Sequence, residues 1–491
     1  MARGGAFGLA GRTAARAVWS MSAWHERPLA ALRPKAAVLA AALAPPLLLA
    51  VPGCTGAADR EARAVAPPPG FSADTFTREG LMGGATATEA GCRALPDGVW
   101  VDTGRRRECL RHAAAGAEAP ARTAVVHFPG DPAGVAYRFA GGRAYIDQVS
   151  GFYEHTPESR RLAAEVLAGA MPGAPVFLMG RPGMHGSSGN HAEDRHTLDE
   201  VLLLDAALTK LRRRHGFQDF ALSGFSSGGT IVANLLARRD DIRCAAIASA
   251  PLDLAEFHRR QDGSVPDHVA MRDGDLADPM RSVGSIRPGA AVFVIGDTRD
   301  RKVPHSAWQA WEDAARRQGL RVFDADVAGF DRPEFGGNGS YHITGVRGLE
   351  AARACAAGAP GDALRQALLA GEPILKPRGR RLDGEQIKAA FAGRRLDGVV
   401  WPHWGTNVTL STRWDAGGER HRFHPARPER RIATQRWWVE GDRLCADDDG
   451  CGAVLADGRF LHVVAGEPPR FKTTFVAPPP GPRSREAGRP Q

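Results

Sequence analysis

The chain has 491 residues, 43 % of them hydrophobic and 24 % charged. That excludes global disorder and, at roughly 100 to 200 residues per domain, points to two or three domains. The formal charge of +9 would suit a nucleic-acid partner only if the surplus were gathered on one folded face. It is not: residues 1–53 hold six basic residues and one acid, the chain from Lys376 onward holds 21 basic and 14 acidic residues, and the middle is left at −3. No nucleic-acid role is expected.

Residues 36–52 form a 17-residue apolar run preceded by Arg33 and Lys35 and followed by Gly53-Cys54, the layout of a secretory signal. A membrane span needs about 20 apolar residues, and Pro45-Pro46 would break a helix there. The ending Val51-Pro52-Gly53-Cys54 resembles a bacterial lipobox, which implies removal of residues 1–53 and lipidation of Cys54. The expectation is an exported protein, periplasmic or anchored to the membrane through that lipid. Counting from Met21 gives a basic region of ordinary length, so Met21 is a candidate start. Residues 54–85, Ala/Pro-rich over 56–70, read as a tether.

From 86 to 362 short β-branched runs alternate with helical periods. Strands are predicted at 97–103, 107–112, 122–128, 174–180, 217–225, 243–250, 290–296 and 320–327. Helices are predicted near 158–170, 197–214, 228–239, 305–318 and 345–358. Two strands joined by a hairpin and then repeated strand-helix units mean an α/β fold with a mostly parallel sheet covered on both faces. A polar, Asp-rich stretch at 257–285 interrupts the alternation and is expected over the C-terminal edge of the sheet. Beyond 370 the pattern changes to strand-like runs at 397–401, 407–413, 434–439, 452–455, 459–465 and 470–476, introduced by one helix starting at Gly384. Five Trp fall between 401 and 438. This predicts a small antiparallel β domain over 370–476, followed by a disordered tail at 477–491. Its basic charge and aromatic content leave two readings open, adhesion to anionic envelope surfaces or an ordinary Trp-rich core.

Seven cysteines less a lipidated Cys54 leave six, an even number in a disulfide-permissive compartment. Cys92 and Cys109 flank the first hairpin, and Cys445 and Cys451 bracket the acidic loop ADDDG; both pairs are expected as disulfides. Cys244 and Cys355 either pair or stay as two buried thiols. No Cys-x-x-Cys or His-x-x-x-His spacing argues for zinc, so no metal or other cofactor is expected.

The strand FQDFALSGF runs straight into Ser226-Ser227-Gly228-Gly229 and a helical stretch, placing the motif Gly224-Phe225-Ser226-Ser227-Gly228 between a strand and a helix. A serine on that turn projects its hydroxyl above the sheet, and the helix directs its N-terminal dipole at the same spot. The competing reading makes Ser226 a helix cap. An aliphatic hydroxyl needs a base, and the base needs an orienting acid. Downstream, the strand at 290–296 opens into Asp297-Thr298-Arg299-Asp300, followed by Val303-Pro304, and a Gly-rich loop delivers His342. The order Ser226, Asp300, His342 and the D-x-x-V-P pattern make residues 86–362 similar to the α/β-hydrolase superfamily. That resemblance implies an eight-stranded, mostly parallel sheet flanked by helices, with Ser226 as nucleophile, His342 as base and Asp300 as orienting acid. Asp297 competes with Asp300, and the Val-Pro pair favours Asp300. It further implies oxyanion donors at the Ser227 amide and at Gly130 or Asp131, in a loop (His127 to Asp131) similar to the family's His-Gly loop. The Gly-rich turn after the fourth strand, Arg181 to Gly189, lacks the Walker and dinucleotide spacings and reads as a structural turn at the site's rim. His155, His185, His191 and His196 read as loop residues, and His305 as a cap or surface residue.

The expected function is that of an exported serine hydrolase acting on a small-molecule ester or other acyl bond. A peptidase of the same fold and a non-catalytic envelope-binding protein are the rivals. No propeller-like sieve domain precedes the hydrolase segment, which favours small acyl substrates.

Overall fold

A computed structural model describes residues 66–140, 143–150, 153–170, 173–262, 275–330, 339–401, 409–447 and 449–477. The signal, Cys54, the first part of the tether, the tail from 478 and the middle of the polar excursion (263–274) lie outside the described residues.

The body is built on an eight-stranded sheet. Its strands are β1 (Gly98–Asp102), β2 (Arg107–Ala115) and β3 (Thr123–Phe128), then, after a separate hairpin of β4 (Ala136–Ala140) and β5 (Arg143–Gln148), β6 (Val176–Met179), β7 (Asp219–Phe225), β8 (Ile242–Ala248), β9 (Ala291–Gly296) and β10 (Arg321–Asp326). The order is β1-β2-β6-β3-β7-β8-β9-β10, antiparallel at β1/β2 and β2/β6 and parallel from β6 onward. β3, β6 and β9 are buried along their whole length, as strands covered on both faces must be. One face packs helices Leu198–His215, Ser227–Leu236 and Ser306–Arg317; the other packs Pro157–Ala170, Gly345–Ala356 and Gly361–Leu369. This is the α/β-hydrolase fold.

Three local expectations change. Residues 71–85, read as the end of a tether, belong to the folded body: Thr77 caps the helix Arg78–Gly83, Leu81 is fully buried, and Ala85 pairs with Gly189. Their polar and small residues hide the few anchors that dock them. The β4/β5 hairpin and the helix Gly361–Leu369 were not predicted. β4 is exposed along most of its length, so it carries no buried-strand signature.

The C-terminal domain is a closed antiparallel barrel. Its strands are β11 (Arg380–Arg381), β12 (Arg394–Val400), β13 (Thr409–Trp414), β14 (Glu419–His424), β15 (Arg427–Glu440), β16 (Arg443–Ala446), β17 (Gly450–Asp457), β18 (Phe460–Ala465) and β19 (Arg470–Val476). From β12 to β19 each strand pairs with the next, and β19 returns to β12, closing eight strands in an up-and-down order; β11 adds to the side of β17. The helix Gly384–Phe391, opened by an Asp383/Gln386 capping box, inserts Ile387 and Phe391 into a core with Trp414, Trp437 and Phe475. Trp401, Val399 and Val476 instead join the core of the body, and Arg427 reaches Glu154 of the body at 2.5 Å. Of the five tryptophans, Trp414 and Trp437 fill the barrel, Trp401 docks it, Trp438 is 41 % exposed, and Trp404 lies outside the described residues.

Three disulfides join Cys92 to Cys109, Cys244 to Cys355 and Cys445 to Cys451. The open alternative for Cys244 and Cys355 thus resolves as a bridge from β8 to the helix Gly345–Ala356.

Candidate active site

Ser226 sits between β7 and the helix Ser227–Leu236 with φ 53° and ψ −129°, a conformation that L-residues adopt only where the surroundings enforce it. The glycines around it make the turn possible. A Cβ on Gly224 would stand 2.3 Å from the carbonyl oxygen of Gly228, and one on Gly228 would stand 2.2 Å from that of Phe128. Ser226 precedes the helix, yet its side chain makes no cap hydrogen bond. The hydroxyl points instead to His342, whose Nε2 is 3.1 Å from Ser226 Oγ. His342 Nδ1 is 2.7 Å from Asp300 Oδ2, and Asp300 Oδ1 accepts from the backbone N–H of Lys302 and Val303 at 2.8 and 3.0 Å. Asp297 turns elsewhere, accepting from the N–H groups of Arg299 (3.0 Å) and Gly329 (3.1 Å). The structure therefore brings Asp300, not Asp297, against His342.

The loop after β3 passes over Ser226, so that a Cβ on Gly130 would lie 2.9 Å from Ser226 Cβ. Ser227 opens its helix, where the first N–H groups have no intrahelical acceptor. Gly130, Asp131 and Ser227 are thus gathered on one side of Ser226.

What the sequence does not foretell is the side-chain network that ties these residues together. Asp131 Oδ1 accepts from Ser227 Oγ at 2.6 Å and from Arg181 Nη1 at 3.0 Å, and Asp131 Oδ2 accepts from Arg195 Nε at 2.5 Å. Arg181, fully buried, also donates to Ser227 Oγ (2.5 Å) and pairs with the buried Glu200 at 2.8 Å. His191 Nε2 lies 3.4 Å from Asp131 and 3.3 Å from the hydroxyl of Tyr137 on β4. Burial pushes the Asp131 carboxyl up, but Arg195, His191 and Arg181 together hold it well below the usual carboxylate range. Asp131 enters the sequence reading only through its backbone, and Arg181 as part of a Gly-rich turn. An Arg in a turn flanked by glycine gives no signal of its partners.

The histidines read as loop residues are buried: His155, His185, His191 and His196 are each at most 5 % exposed. His127 is also buried, its Nδ1 3.1 Å from Ser223 Oγ. His305 is half-buried and lies tilted against Trp308, ring centroids 4.2 Å apart.

Residues 149–329 match the family model described as alpha/beta hydrolase fold; the match contains Ser226 and Asp300, while His342 and the loop at 127–131 lie outside it. No curated protein matches the chain. Among solved structures, a Pyrococcus furiosus esterase is 16 % identical over 47 % of this chain and 81 % of its own, with a TM-score of 0.32. Est1E from Butyrivibrio proteoclasticus, bound to ferulic acid, is 14 % identical over 53 % of this chain and 98 % of its own, with a TM-score of 0.34. The acylaminoacyl peptidase of Pyrococcus horikoshii is 12 % identical over 47 % of this chain, with a TM-score of 0.32; the matched part spans only 36 % of that protein.

Proposed function

We propose that the protein is a serine hydrolase that cleaves an ester or related acyl bond through an acyl-enzyme. The observation that carries this reading is the relay from Ser226 Oγ through His342 to Asp300, built on a strained strand-to-helix turn. Ser226 attacks the acyl carbonyl while His342 Nε2 takes its proton. Asp300, which accepts on the far side of the ring, keeps His342 in the tautomer that leaves Nε2 free to do so. The developing oxyanion is met by the Ser227 amide, reinforced by its helix dipole, and by a second amide from Gly130 or Asp131. His342 then returns the proton to the leaving group, and water repeats the sequence to release the acid.

Export and attachment through a lipid on Cys54 belong to the same proposal, and three disulfides suit an oxidising compartment. A serine-directed phosphonate probe tests the reading: wild-type protein becomes labelled at Ser226 and Ser226→Ala does not. A folded wild-type protein that resists the probe would sink it. A panel of p-nitrophenyl esters and aminoacyl p-nitroanilides then separates esterase from peptidase.

A further inference from the structure

Two buried guanidinium groups lie beside β6, Arg181 just past its end and Arg160 on the carbonyl of Leu178. Arg181 is matched by two carboxylates, Asp131 and Glu200. Arg160, in the first turns of the helix Pro157–Ala170 on the opposite face of the sheet, is 4 % exposed and has none. Its Nη2 donates to the carbonyl of Leu178 at 3.2 Å, its Nη1 has no partner, and no carboxylate among the described residues pairs with it.

The groups that feel its charge are neutral. Burial drives His127 and His155 down to about 3 and His185 well below the usual imidazole range, and in each case Arg160 adds to the effect. His155, His185 and Tyr153 form a compact nest, with ring centroids 5.2 to 5.7 Å apart. His185 Nδ1 and His127 Nε2 are buried without partners. Arg160 is thus a buried cation that no carboxylate among the described residues pairs with.

An isolated charge taken out of water costs several kcal/mol unless it is paired. Water could satisfy the N–H groups but would not neutralise the guanidinium. We infer that Arg160, buried and with its Nη1 unpartnered, binds a small inorganic anion of chloride's size at that Nη1. A guanidinium only 4 % exposed suits a monatomic ion better than an organic acid.

The test compares melting of the full-length protein in sodium chloride and in sodium gluconate at equal ionic strength. Wild type should melt a few degrees higher in chloride, because the ion binds the folded state alone. Arg160→Met, which replaces the guanidinium with an apolar chain of similar length, should lose that difference. Should this variant fail to fold, bromide soaked into chloride-free wild-type crystals gives an independent readout through its anomalous signal. A bromide peak beside Arg160 Nη1 supports the site. Equal melting of wild type in both salts, the same chloride increment in Arg160→Met, or only water beside Arg160 in the bromide crystals overturns it.

Discussion

In the barrel each strand from β12 to β19 hydrogen-bonds the next one along the chain, and distant residues meet at the β12/β19 seam and where β11 joins β17. The body is wired differently: β3 lies between β6 and β7, and the Ser226–His342 and His342–Asp300 contacts join residues 116 and 42 apart. Their cores differ too. The barrel interior gathers Trp414, Trp437, Phe391 and Phe475 into edge-on aromatic contacts, whereas the body concentrates paired charge at one edge of its sheet, around Asp131, Arg181 and Glu200. The contrast teaches that the Ser226–His342–Asp300 constellation depends on long-range register in the body, while the barrel is a unit of mostly sequential strand pairs docked through Trp401, Val399 and Val476.

Substitutions can break or sharpen that division. Ser226→Ala should lower turnover about 10⁶-fold with melting unchanged; equal activity would move the nucleophile elsewhere. Removing the body's Cys244–Cys355 bridge, with a sequence separation of 111, should cost about 5 kcal/mol in urea unfolding. Arg181→Met leaves Glu200 buried without its cation and Asp131 with Arg195 alone, and should cost ~3–5 kcal/mol while lowering kcat, since the Asp131–Ser227 contact loses one of its two arginines. Trp414→Ala, in the barrel core at 1 % exposure, should cost ~3–5 kcal/mol of barrel stability yet leave kcat at low temperature unchanged. A fall in kcat matching that of Arg181→Met would show that the barrel shapes the site. The smallest effect is expected from removing Cys445–Cys451, which closes a loop with a separation of only 6, at about 2 kcal/mol.

Much of the body was legible because its signals are local: β-branched runs for strands, apolar helical faces between them, and a serine set among glycines where a strand meets a helix. β14 was not legible, because its sequence ERHRFH shows no apolar alternation. Register sets Arg420 beside Trp414 and Arg422 beside Thr412, and Asp449, from the β16–β17 turn, pairs with both arginines. The β4/β5 hairpin escaped notice for the opposite reason, since so little of it is buried.

By itself the sequence determined the seat of Ser226, the strand-helix alternation and the change to an antiparallel domain, because backbone sterics and apolar periodicity act between near neighbours. Only the tertiary structure decided that Asp300 rather than Asp297 faces His342, that Cys244 meets Cys355, that eight strands close into a barrel, and that Arg181 has carboxylates where Arg160, among the described residues, has none. The free energy of a buried polar group is set by what lies within a few ångströms of it. Those neighbours come from strands and helices far apart along the chain.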